Sequence, residues 1–138
     1  MMDVYVLDAC ALIAVLSQEE GWEKVIAVYD MAVSGQVRLV MNKVNLLEVY
    51  YGDYRAHGKD AADNMISAVL AAPIQIIPEI EDKVFREAGR LKATYHISLA
   101  DAIVLAQAAV LNGKLLTSDH HEFDTVEKNE AVSFLWIR

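Results

Sequence analysis

Five short apolar runs punctuate the chain, and helical periodicity fills most of what lies between them. The runs are residues 4–7 (VYVL), 38–41 (RLVM), 74–77 (IQII), 114–117 (KLLT) and 132–137 (VSFLWI). Each is too uniformly apolar to be a strand with one wet face, so both faces are expected to be covered. The pattern predicts helices over ACALIAVL, 19–33, 43–56, 60–71, 79–95 and 99–111, with Pro73 and Pro78 fencing IQII. Asp119, in the segment TSDHHEFD before the last strand, reads as a turn residue, with no helix foreseen there. Buried strands joined by helices give an α/β fold: a three-layer α/β/α sandwich around a mostly parallel central sheet.

With 138 residues the chain fits one domain, residues 1–138, and no repeat or low-complexity stretch divides it. No apolar stretch is long enough to span a membrane, and the opening MMDVYVLDACALIAVL carries acids where a signal peptide carries bases. The lone Cys10 has no disulfide partner, which agrees with an expected cytoplasmic location, and it reads as a small buried hydrophobe. A net charge of −8 argues against unaided adhesion to nucleic acid or anionic membrane. Any nucleic-acid chemistry must then be local and assisted by cations.

In open α/β sheets functional groups gather beyond the carboxyl ends of the strands. Asp8 follows the first run and Asp119 follows KLLT, so both are expected on that edge. Asp101 opens the helix that leads into KLLT, and its start is expected at the opposite end of the sheet unless the helix crosses at an angle. In VNLLEVYYG a narrow polar stripe of Asn45, Glu48 and Gly52 interrupts an apolar helix and faces solvent, a partner or a polar cavity. Each acid also has an ordinary reading. Asp8 fits a helix N-cap, Ser98 and Asp101 have capping-box spacing, and Asp119 suits a turn. His57 and His96 read as structural, and the adjacent His120 and His121 as surface residues.

VLDACALIA, NLLEVYYG, SLADAIVLAQAA and LLTSDHHEFD, in that order and spacing, resemble a PIN-domain ribonuclease, most similar to VapC-type toxins of toxin-antitoxin pairs. The resemblance covers nearly the whole chain. It implies one metal-binding acid cluster made of Asp8, Glu48, Asp101 and Asp119, with Asp101 brought into the same pocket. Asp8, Asp101 and Asp119 are the implied ligands, and Glu48 orients or deprotonates the attacking water. Thr117 and Ser118 support Asp119, and Asp124, or else Glu122, matches a variable extra acid. Where the family often has a hydroxyl residue after the first Asp, this chain has Ala9 and Cys10, so the departure implies the loss of a supporting hydrogen bond and an altered metal affinity.

Carboxylates without Cys or His suit Mg²⁺ or Mn²⁺ and not zinc. The implied activity is hydrolysis of RNA by metal-activated water, leaving 5′-phosphate and 3′-hydroxyl ends. The implied partners are RNA, a cognate antitoxin that covers the pocket, and a second copy in a homodimer.

Lys83, Arg86 and Arg90 form a basic stripe at i, i+3 and i+7 that could track a phosphate backbone, although Glu79 with Lys83 and Asp82 with Arg86 are also ordinary surface pairs. Arg38, Lys43, Arg55 and Lys59 are further candidates, and Tyr50, Tyr51 and Tyr54 could stack bases or pack. Three other readings compete. One is a non-catalytic interaction module whose acids only cap helices. A receiver-type phosphoacceptor needs an Asp after the central strand, where IQIIPEI offers only Glu79. A haloacid-dehalogenase-like phosphatase needs an Asp where Cys10 stands.

Overall fold

The computed structural model describes residues 2–138. Its elements run β1 (Asp3–Leu7), α1 (Ala9–Leu16), α2 (Trp22–Val33), β2 (Val37–Asn42), α3 (Lys43–His57), α4 (Lys59–Ala71), β3 (Gln75–Ile77), α5 (Asp82–Thr94), α6 (Leu99–Leu111), β4 (Lys114–Thr117), α7 (His120–Asn129) and β5 (Ser133–Trp136). The strands form one parallel sheet in the order β3-β2-β1-β4-β5.

Alternation along the strands builds two cores. Leu7, Leu39, Met41 and Leu116 meet side chains of α1, α2, α3 and α4 on one face. Val6, Val40 and Leu115 meet α5, α6 and α7 on the other. Both faces are therefore covered, as the apolar runs require. α6 fills the second core with Ala102, Ile103, Val104, Leu105, Ala106 and Ala108 buried. Its small residues let the helix lie close over β1 and β4.

Several expectations are corrected. The helix foreseen over 19–33 begins at Trp22, and that over 79–95 begins at Asp82. The segment read as a turn after KLLT contains α7, whose only buried residues are Phe123 and Val126. Two apolar positions among charges give a weak periodicity; the better signal was the spacing Asp119-x-x-Glu122, since the Asp119 carboxylate accepts from the Glu122 N–H at 3.1 Å. IQII is an edge strand, and the central strand is β1, so the test applied to the receiver reading addressed the wrong strand.

The expected position of Asp101 was also wrong. A helix that feeds a parallel strand runs back across the sheet, so it begins at the edge where strands end and finishes where the next begins. α6 obeys this rule, ending at Leu111, with only Asn112 and Gly113 before β4. No unusual crossing is needed to bring Asp101 to the carboxyl edge.

Gly21 starts α2 at φ +92°, and a Cβ there would lie 2.1 Å from the Ile137 carbonyl oxygen. Gly21→Ala is expected to destabilise the fold by about 1–3 kcal/mol in chemical denaturation, through overlap and left-handed strain.

Candidate active site

Asp8 leaves the end of β1 and caps α1, its Oδ1 accepting from the Ala11 N–H at 2.8 Å. At 3% exposure it is a buried carboxyl. Burial pushes its pKa up to about 7 against the opposing effect of the Thr117 hydroxyl and the Ala11 amide, and the charges of Asp101 and Asp119 push the same way as burial. Thr117, fully buried at the end of β4, also accepts from the Asp119 N–H at 3.1 Å. One hydroxyl thus holds the first and last acids of the set.

Asp101 sits in the first turn of α6, where the Ser98 hydroxyl caps the helix by accepting the Asp101 N–H at 3.1 Å. Burial raises its pKa to about 7, the Ser98 hydroxyl opposes this, and the charges of Asp119, Glu122 and Glu48 add to it. Burial also raises Glu48, against the Asn45 amide, with a smaller push from Asp119. Cys10 lies in the field of all four acids: burial first, then Asp8, Asp119, Asp101 and Glu48, push its thiol up to about 12. A thiol held protonated is no nucleophile.

The sheet edge therefore gathers Asp8, Glu48, Asp101 and Asp119. Nothing positive is among the groups that shift Asp8, Glu48 or Asp101. What moderates the repulsion is the backbone: Asp8 caps α1, Asp101 lies in the first turn of α6 and Asp119 caps α7, each at the positive end of a helix dipole. The cap readings of Asp8 and Asp119 are thus correct as geometry and do not exclude a second role.

The polar stripe of α3 splits. Asn45 is buried, Glu48 half-buried and Gly52 exposed. The Asn45 Nδ2 donates to the Ala100 carbonyl oxygen at 3.0 Å, tying α3 to the turn that carries Asp101. Its Oδ1 is buried without a hydrogen-bond partner. Sequence reasoning placed Asn45 in the stripe but missed this tie; its spacing three residues before Glu48 was the available signal.

Among the described residues, no three His, Cys, Asp or Glu side chains close around one point as metal ligands. Asp8 and Asp119 each turn an oxygen to a helix amide. Even so, the donor set fits a hard divalent ion, because Mg²⁺ takes one or two carboxylates and keeps several waters. The orphaned Asn45 oxygen and the raised Asp8, Asp101 and Glu48 pKa values mark a place short of hydrogen-bond donors and of positive charge.

Other candidates lie elsewhere. Asp124 pairs with His120 at 2.8 Å, whereas Glu122 is the extra acid that acts on Asp101. Ser118 is half-buried between Thr117 and Asp119. Arg86 pairs with Asp82, and Arg90 with Glu87 and with Glu130. Glu130 follows the far end of α7 from Asp119, so its pair with Arg90 holds that residue away from Asp119. Lys83 is exposed on the same helix, and Lys43 is exposed at the start of α3. Arg38 donates to Gln75, Lys59 pairs with Asp63, and Arg55 covers the Tyr51 ring. Tyr50 donates to Asp63 and meets Tyr54 edge-on, while Tyr51 and Tyr54 are exposed. His57 and His96, read as structural, are exposed.

Thr117→Val keeps the shape and removes the hydroxyl, leaving the Asp8 carboxyl without that donor and the Asp119 N–H without its acceptor. A loss of about 1–3 kcal/mol in folding stability is expected from chemical denaturation.

Solved structures share the whole fold. A toxin-antitoxin complex from Klebsiella pneumoniae aligns over 97% of this chain and 98% of its own, at TM-score 0.73 and 18% identity. DNA-bound VapBC from Salmonella typhimurium aligns over 100% of both chains, at TM-score 0.77 and 12% identity. VapC20 from Mycobacterium tuberculosis, described as a sarcin-ricin loop cleaving toxin, aligns over 80% of this chain and 86% of its own, at TM-score 0.62 and 12% identity. Among curated protein sequences none matches the chain. The pattern of the PIN domain matches residues 5–129. That span takes in β1 to β4, apart from the first two residues of β1, and every acid gathered at the sheet edge, and the chain belongs to the PIN domain family.

Proposed function

We propose that this protein is a divalent-metal-dependent endoribonuclease and the toxin of a toxin-antitoxin pair. The observation that carries the proposal is the gathering of Asp8, Glu48, Asp101 and Asp119 at one sheet edge, with no positive group among the described residues that shift Asp8, Glu48 or Asp101. Asp8 and Asp101 would hold Mg²⁺ or Mn²⁺, with Asp119 completing the set. When bound, the ion makes water a stronger nucleophile and offsets charge on the phosphate and the departing oxygen.

The chain's own residues do the rest. Thr117 fixes Asp8 relative to Asp119, and Asn45 fixes α3 relative to the Asp101 turn. Glu48, whose pKa burial raises, is a stronger base than an exposed glutamate and is suited to take a proton from water. Water adds to phosphorus, the bond to the 3′ oxygen breaks, and that oxygen takes a proton. The ends are then 5′-phosphate and 3′-hydroxyl. The structural likeness to toxin-antitoxin complexes supports an antitoxin partner, and a homodimer is part of the same reading. No helix among the described residues is long and apolar enough to cross a membrane, and the cytoplasm is the proposed location. A single domain over residues 1–138 is part of the same reading.

The helix caps made by Asp8 and Asp119 favour one other reading, a non-catalytic interaction module. Growth separates the two. The parent protein produced alone is expected to arrest growth, co-production of the adjacent small open reading frame to restore it, and Asp101→Asn to be tolerated. Equal toxicity of parent and variant would show that the acids are not the source of the effect.

A further inference from the structure

Beside the acid cluster stands an aromatic stack that the chemistry above does not use. Trp136 pairs in register with Thr117 at the end of β5, the edge strand. Its indole lies on Phe134, with centroids 5.2 Å apart and planes 7° apart. The His120 ring lies on the indole at 3.9 Å and 12°. Two contacts fix that ring: Nδ1 lies 2.8 Å from the Asp124 carboxylate and Nε2 2.8 Å from the Arg138 carbonyl oxygen. The indole is fixed in turn, its N–H donating to Glu127 at 2.9 Å.

One face of His120 is covered by Trp136, yet the side chain remains 49% exposed. A flat, immobilised ring is thus presented to solvent by the residue next to Asp119, about 3.8 Å away along the backbone. A flat ring held in place before the ligand arrives is the kind of surface on which a base of single-stranded nucleic acid stacks.

We infer that the open face of His120, backed by Trp136 and Phe134, stacks a nucleobase of single-stranded RNA next to the phosphate held at the acid cluster. The inference rests on the nuclease reading for its substrate class. The ring and its backing are ordered before RNA arrives, so stacking costs little rearrangement. It tolerates any base, because every base has a π-face.

The test uses labelled octaadenylate and an abasic ribose-phosphate octamer, with binding read by fluorescence anisotropy in Mg²⁺. All variants carry Asp101→Asn, so that no RNA is cut. His120→Ala is expected to weaken octaadenylate binding by about 10-fold, as loss of one stacked base does. His120→Phe, which keeps a flat ring, should bind within about 3-fold of the His120 protein, and the abasic octamer should bind all three alike. Unchanged octaadenylate binding by His120→Ala would overturn the inference, as would an equal loss for the abasic octamer or failure of His120→Phe to restore binding. Cleavage of RNA by the protein with Asp101 intact is read separately. A protein that stacks octaadenylate as expected but cuts nothing would remove the nuclease reading and leave the stacking site standing.

Discussion

Asp101→Asn is expected to abolish RNA cleavage while leaving the metal-free protein as stable as the parent or more so. The activity loss follows from removing a proposed metal ligand and should reach on the order of 10²-fold or more. The stability result is the more discriminating half. In a capping box the acid would support the start of α6, and its loss would destabilise the fold. The structure assigns the cap to Ser98, whose hydroxyl accepts the Asp101 N–H. Among the described residues no hydrogen bond returns from the Ser98 N–H to the Asp101 carboxylate. The substitution therefore leaves the Ser98 cap of the Asp101 N–H in place, gives up the Ser98 hydroxyl's support of the carboxylate, and removes a charge that faces Asp119, Glu122 and Glu48. Ser98→Ala supplies the contrast, with an expected loss of about 1 kcal/mol. The variant should also show a smaller Mn²⁺-induced rise in melting temperature, since less ion binds the folded state. Destabilisation with an intact metal response would make Asp101 a helix-start residue.

Metal-free stability is expected to fall as pH rises from about 4 to about 7. In the folded chain Asp8 and Asp101 keep their protons up to about 7, whereas in the unfolded chain they lose them near 3.8. Between those values the folded state binds more protons, so stability is greatest below the lower value and is lost on approach to the upper. For buried Asp8 alone the difference corresponds to about 4 kcal/mol as an upper figure. Urea titrations at a series of pH values in the presence of a chelator measure the slope. Mn²⁺ should flatten it, because a cation at the cluster favours the charged carboxylates that burial disfavours. A metal-free protein that gains stability across this range would mean that the carboxyls are individually compensated, as simple caps would be.

Much of this architecture is legible in the order of residues. VYVL, RLVM and KLLT are apolar on both alternating faces, and a strand with that pattern has few places to go except the middle of a covered sheet. Asp8 and Asp119 could be placed at the carboxyl edge because Asp8 directly follows such a run and Asp119 follows one after Ser118. α7 escaped because two buried residues in ten leave almost no periodicity, and its helix depends on the Asp119 cap and on Phe123 filling the second core. The stripe of Asn45, Glu48 and Gly52 marked the right helix but not the division between a buried amide and a half-buried acid. That division depends on where α6 crosses, which no local pattern of α3 contains. The stack of His120 on Trp136 joins residues on α7 and β5 that only the closing of the sheet brings together.

The most direct measurement of the central claim is the chemistry of the cut ends. Purified protein is incubated with a mixed cellular RNA pool, with Mg²⁺ or Mn²⁺ and with a chelator, and the fragment termini are identified. Hydrolysis by water at the acid cluster predicts cleavage only with the metal, with 5′-phosphate and 3′-hydroxyl ends. Fragments bearing 2′,3′-cyclic phosphate, or equal cleavage in the chelator, would contradict it.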